Sequence, residues 1–196
     1  MVSLVAALDV ARIELWGPPG PSFDFDTVSP FTVNVHLPDV YTGIAAVATI
    51  GLAAKPRQHP TRPPVELFTF VPPPQRRLMV KPHRLITPWS VLFVATVAAL
   101  LLTSEKPSEP GVSYLLPPEP WTGPACAAVL LSAPLPPRLA CVSVGVDEVL
   151  QLFAVPLHRA ENEVLSSFGL SALLGAFDRS KFSPAQLCSP YRSSTV

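Results

Sequence analysis

The clearest alternation of apolar and polar positions runs through Phe31-Thr32-Val33-Asn34-Val35-His36-Leu37, the period-two pattern of a half-buried strand with His36 on its polar face. Pro38-Asp39 ends it. Residues 44–53 form a second strand candidate, β-branched at Ile44, Val47, Thr49 and Ile50. Val65-Glu66-Leu67-Phe68-Thr69-Phe70-Val71 is a third, closed by Pro72-Pro73-Pro74. A loop rich in proline and basic residues joins the second to the third, which suits antiparallel neighbours better than a helical crossover. The runs 112–116, 125–132 and 139–144 read as further strands. Glu148-Val149-Leu150-Gln151-Leu152-Phe153-Ala154-Val155 is a stronger one that Pro156 stops, since proline has no N–H for the ladder.

Residues 89–104 break this rhythm. They carry no charge and are apolar nearly all round, the pattern of a helix covered on most sides, with Thr87 as its cap and Pro88 in its first turn. The dense part, residues 91–102, falls short of the ~20 apolar residues of a membrane span, so no membrane segment is expected. Two helices follow the strong strand: 160–168, stopped by Gly169, and the short 171–177. Ser183-Pro184-Ala185-Gln186 opens a last turn, with Ser183 as cap and Gln186 reaching back. Residues 1–31 are hard to place; Trp16-Gly17-Pro18-Pro19-Gly20-Pro21 reads as a loop.

Composition sharpens this into a proline-punctuated globular domain. Of 196 residues, 26 are proline and 48% are apolar, while only 14% are charged, against a usual ~25% charged and ~5% proline. Disordered tails and coiled coils are excluded on that ground. Charge balances overall but is segregated. Residues 1–54 carry one basic and five acidic side chains. Residues 55–84 carry seven basic (Lys55, Arg57, Arg62, Arg76, Arg77, Lys81, Arg84) and one acidic. The bland reading of that block is two solvated loops; the sharper one is a positive rim, with Arg76, Arg77, Lys81 and Arg84 foremost, that meets an acidic protein partner. Nucleic acid is not expected, because no aromatic residues interleave with the basic ones. Three scattered cysteines and an N-terminus without a basic start predict a reduced, cytoplasmic protein.

Catalytic motifs are missing. The nine glycines form no phosphate loop, Gly169-Leu170-Ser171-Ala172-Leu173 lacks the second glycine of a nucleophile elbow, and neither C-x-x-C nor H-E-x-x-H occurs. Asp24 and Asp26 are the one close carboxylate pair that would share a face if extended. No metal and no cofactor are expected. The enzymatic alternative is a small hydrolase or transferase whose Cys–His pair only the fold could assemble, Cys126 or Cys141 with His158.

The C-terminal stretch is the most distinctive: Val149-Leu150-Gln151-Leu152-Phe153-Ala154-Val155-Pro156-Leu157-His158-Arg159-Ala160-Glu161, then Phe168-Gly169-Leu170-Ser171-Ala172-Leu173-Leu174. It resembles the suppressor-of-fused-like domain, in which a strand runs into a Val-Pro-Ile-Thr-x-x-Glu turn, a helix, a glycine and a Leu-Leu pair. Ala48-Thr49-Ile50-Gly51-Leu52 is similar to the family's Thr-x-Gly-hydrophobic-Ser strand. The likeness spans residues 31–178, in the family's element order. Two positions depart: His158 stands for the threonine, weakening a capping box with Glu161, and Ala53 stands for the serine. The resemblance implies structural roles for Thr49, Gly51, Pro156, Glu161 and Gly169, and a binding module rather than an enzyme, similar to stand-alone bacterial members proposed as immunity proteins that neutralise a toxin.

The expected fold is therefore α+β, a mainly antiparallel sheet with helices packed on one face. Residues 1–30 form an N-terminal segment and 31–196 the domain. The expected function is non-catalytic binding of another protein, a toxin or a peptide segment of one.

Overall fold

A computed structural model describes residues 4–25, 30–36, 45–55, 64–71, 89–118, 126–133, 141–144 and 147–196. Helix α1 (Leu4–Trp16) opens the chain. Strands β1 (Pro19–Phe25), β2 (Phe31–His36), β3 (Ala46–Ile50) and β4 (Val65–Phe70) follow, then helix α2 (Trp89–Thr103). Strands β5 (Ser113–Leu115), β6 (Cys126–Ser132), β7 (Cys141–Val144) and β8 (Asp147–His158) lead into helices α3 (Arg159–Phe168), α4 (Leu170–Ser180) and α5 (Pro184–Leu187). All eight strands form one sheet in the order β1-β2-β3-β4-β8-β6-β5, with β7 alongside the start of β8. Only β4 and β8 run parallel; the other pairs are antiparallel. The α+β class and the mainly antiparallel sheet are as expected.

The central strands are apolar on both faces, and each face needs a cover. Val33, Val35, Val47, Leu67, Leu152 and Ala154 face α2 through Val91, Val94, Val97 and Ala98. The intervening residues Ala46, Ala48, Phe68, Phe70, Phe153, Val155 and Leu157 pack against Trp16 of α1, Leu173 and Phe177 of α4, and Leu187 of α5. The helices are thus shared between two faces rather than gathered on one, because strands such as Phe68-Thr69-Phe70 leave no face polar. None of residues 89–102 is exposed, as the all-round apolarity of α2 predicts. No described helix is long and apolar enough to cross a membrane; Thr87, read as the cap of α2, and Pro88, read as part of its first turn, lie outside the described residues.

Three sequence expectations need correction. The stretch read as a loop, residues 16–21, splits between the end of α1 and the start of β1. Pro19 and Pro21 are tolerated because β1 is an edge strand, with only β2 as neighbour. His36, placed on a polar face, is fully buried against Trp16, ring centroids 5.5 Å apart, since that face is roofed by α1. Pro156 does not stop the strand; β8 continues through it to His158. The register explains why. Val129 pairs with Tyr114 on its other side, so Val129 and Pro156 face each other without hydrogen bonds. The proline nitrogen therefore points toward β4, whose pairing has already ended at Phe68–Phe153. No ladder bond is lost.

Candidate functional site

Four of the family-like residues, Thr49, Gly51, Pro156 and Glu161, settle into two separate buried polar clusters. The first surrounds Glu66 in β4. It sits among Leu67, Phe68 and Phe70 and is fully buried. Thr49 Oγ1 donates to Glu66 Oε2 at 2.6 Å; the amides of Gly51 and Ala53 donate to Oε1 at 3.0 Å each. The chain can fold round the carboxylate because Gly51 takes φ +89°, a left-handed conformation natural to glycine. Thr49 Oγ1 also accepts from the Leu67 amide at 2.8 Å, extending the β3–β4 ladder by a side chain. Arg12 of α1, also fully buried, donates from Nη1 to the Thr49 carbonyl at 2.7 Å and from Nη2 to Gln151 Oε1 at 2.8 Å. Gln151 is the register partner of Glu66 across the parallel β4–β8 pair. Burial raises the Glu66 carboxyl above the usual carboxylate range, and the Arg12 charge and the three donors pull it back only in part.

The second cluster surrounds Glu161 at the start of α3. Its Oε2 accepts from the His158 amide at 2.9 Å, the reaching-back half of a capping box, so that half survives the change from threonine to histidine. Arg192 adds a bidentate pair, Nη1 to Oε1 at 2.5 Å and Nη2 to Oε2 at 2.7 Å. The Thr195 amide and hydroxyl complete the set at 2.9 and 2.8 Å. Arg192 Nη2 also reaches the Pro156 carbonyl at 3.1 Å and Nε the Leu187 carbonyl at 3.0 Å. The carbonyl that Pro156 turns away from β6 is thus satisfied by the C-terminal tail. Burial pushes Glu161 up, but the Arg192 hydrogen bonds, the His158 amide, the Arg192 charge and the Thr195 amide outweigh it and hold the carboxyl below its ordinary value. Gly169 ends α3 and starts α4 at φ 82° and ψ 176°, a conformation almost confined to glycine.

The Cys–His alternative is half assembled. Cys126 lies opposite His158 in the β6–β8 ladder, whereas Cys141 lies opposite Leu150, eight positions up the strand. Burial pushes the Cys126 thiol up to about 11, the Glu161 charge adding to it and the Arg192 charge opposing it. Burial, with help from the Arg192 charge, lowers His158. A thiol so shifted is almost wholly protonated near neutral pH and so a poor nucleophile there. Among the described residues no three His, Cys, Asp or Glu side chains gather as metal ligands. The predicted rim residues Arg76, Arg77, Lys81 and Arg84 lie outside the described residues, as does Asp26.

Among the described residues, strands β1, β5 and β7 have a neighbour on one side only, and the first two are unlike. β1 carries Pro19 and Pro21, which offer no N–H. β5 carries none. Leu131 N donates to Val112 O and Leu116 N to Ala127 O, so residues 112, 114 and 116 turn their peptide groups to β6. Ser113 and Leu115 therefore turn theirs outward. Lys106 Nζ, 3.4 Å from the Ser113 carbonyl, is the described group nearest this edge by hydrogen bonding. Leu115 is 69% exposed, and Phe168 is 75% exposed at the turn between α3 and α4.

Sequence reasoning missed Arg12, Glu66, Gln151, Arg192 and Thr195. The first three had a signal: each is a long polar side chain with an apolar residue on either side of it in the sequence. Arg192 and Thr195 had none, since nothing in the tail Tyr191-Arg192-Ser193-Ser194-Thr195-Val196 points to a carboxylate 31 positions away.

One mainly antiparallel sheet with a single parallel pair, covered by helices on both faces, defines an α+β architecture. No protein-family model and no curated protein matches the chain. Solved structures do. A suppressor-of-fused homolog from Neisseria gonorrhoeae superposes with a TM-score of 0.68 at 16% identity, over 98% of this chain and 96% of that one. A chain of the Sufu–Fu complex superposes at 0.60 and 12% identity, over 98% and 90%. The chain has the suppressor-of-fused-like fold, as the two motifs implied.

Proposed function

We propose that this chain is a non-catalytic domain that holds an extended segment of a partner protein along the outer edge of β5, where no described strand pairs. The carrying observation is the outward turn of the Ser113 and Leu115 peptide groups on a proline-free end strand. Such an edge is a template for one more strand, with main-chain hydrogen bonds giving affinity and neighbouring side chains giving selectivity. A solved chain of the same fold comes from a complex with another protein, which supports a binding role. The buried Cys126 thiol, at about 11, supports a non-catalytic reading, since the thiolate is the nucleophile. The finer reading is an immunity protein for a toxin in the cytoplasm, with Arg76, Arg77, Lys81 and Arg84 as a positive rim that steers an acidic partner.

Leu115→Pro removes an outward N–H without touching the β6 ladder. Retention of the partner in a pull-down should fall at least tenfold, with an unchanged thermal melt; full retention with an intact fold would overturn the β5 site. Reversing all four rim charges should slow association and reduce its salt dependence, and unchanged binding would leave the rim merely solvated. Growth rescue on co-expression with a toxin encoded by the neighbouring gene tests the immunity role.

A further inference from the structure

The far end of the sheet carries a second feature. Asp24 of β1, Thr32 of β2 and Ile50 of β3 are successive register partners, so their side chains line up on one face across three strands. With Gly51 they line an open depression of about 420 Å³, a size within the range of about 300–1,000 Å³ that holds small ligands. Thr32 Oγ1 donates to Asp24 Oδ1 at 2.7 Å and fixes how the carboxylate is presented. Gly51 keeps the floor bare: a Cβ there would meet no atom within 4 Å. No ion pair with a described residue reaches Asp24.

We infer that this depression takes a lysine or arginine side chain from a partner protein, its cationic head on Asp24 and its aliphatic stem along Ile50. The inference rests on the reading that the chain binds a protein, and adds a contact remote from β5. The chemistry follows from the lining. An oriented carboxylate beside an apolar wall suits a side chain that is apolar along its length and charged at its tip. Asp24, the one charged group in the described lining, selects a cation over an anion.

The full chain, labelled with ¹⁵N, can be titrated with acetyl-Gly-Arg-Gly-amide, its lysine counterpart, and a norleucine counterpart that keeps the stem and lacks the charge. Saturable shifts centred on the Thr32 and Gly51 amides are expected with arginine and lysine and not with norleucine. Asp24→Asn should weaken binding about threefold, the scale of an exposed charge pair, and raised salt should do likewise. Equal shifts with norleucine, shifts unaffected by Asp24→Asn, or no saturable shift would overturn the site. Because the probe is a free peptide read at β1–β3, its failure is distinct from loss of the partner through Leu115→Pro.

Discussion

Glu66 and Glu161 are both buried carboxylates with several hydrogen bonds, yet burial wins at one and the partners win at the other. Glu161 touches its cation directly through two short bonds and takes three more from the His158 and Thr195 groups. Glu66 has three donors, none of them charged, while Arg12 spends its bonds on Thr49 and Gln151. The Arg12 charge acts on Glu66 across space, and burial lowers Arg12 itself. The lesson is that a buried ion is stabilised by geometry of contact, not by the mere nearness of an opposite charge.

The sharpest way to break the contrast is Arg192→Ala. It strands Glu161 and frees the Pro156 and Leu187 carbonyls, so unfolding free energy should drop by about 3–5 kcal/mol in a urea titration. A drop no larger than that of an exposed substitution would make the two sites equivalent. Arg12→Met keeps the stem and removes two charged donors from buried acceptors, a loss of about 2 kcal/mol. Glu66 keeps its own donors, so the loss should stay below that at Arg192, and a larger loss would reverse the ranking. Gly51→Ala has room for its methyl but not the backbone preference; a cost of about 1–2 kcal/mol is expected from the left-handed conformation, visible as a lower melting temperature.

Proton linkage sharpens the comparison further. Glu161 is held below its ordinary value, so its contribution is fully present above the unfolded carboxylate pKa and disappears as pH falls through the lower folded value. Glu66 is held above it, so the folded state takes up its proton first, and acidification between the raised and the ordinary value favours folding. Stability should therefore hold or rise on mild acidification and then fall steeply. Urea midpoints at stepped pH values check this, and Arg192→Ala should flatten the steep limb alone. The smallest expected effect is chemical: Cys126, raised to about 11, should react with a thiol reagent near neutral pH far more slowly than a free cysteine, and rapid labelling would revive the Cys–His alternative.

The strands β2 and β6, the helix α2 and the turn at Ser183 were legible because each has a local cause. Alternation marks the first, a short apolar run between Pro124 and Pro134 the second, all-round apolarity the third, and in the fourth Ser183 accepts from the Gln186 amide while Gln186 Oε1 accepts from the Ser183 amide. The likeness carried by Thr49, Gly51, Pro156, Glu161 and Gly169 was legible as well, because each residue answers to backbone geometry or a nearby donor. Helix α1 was not, since its inward residues Leu8, Arg12 and Trp16 are too mixed to show a face. Nor was the second helical cover, which follows only from both sides of the central strands being apolar at once.

Sequence alone determined most of the local elements after residue 30 and the missing catalytic motifs, for these depend on neighbours within a few positions. Only the tertiary structure decided that Pro156 stays in its strand, that Arg12 bridges β3 to β8, and that Arg192 closes on Glu161. Those outcomes depend on which side of a strand is left unpaired and on which distant charge can reach it, and neither quantity exists until the sheet has formed.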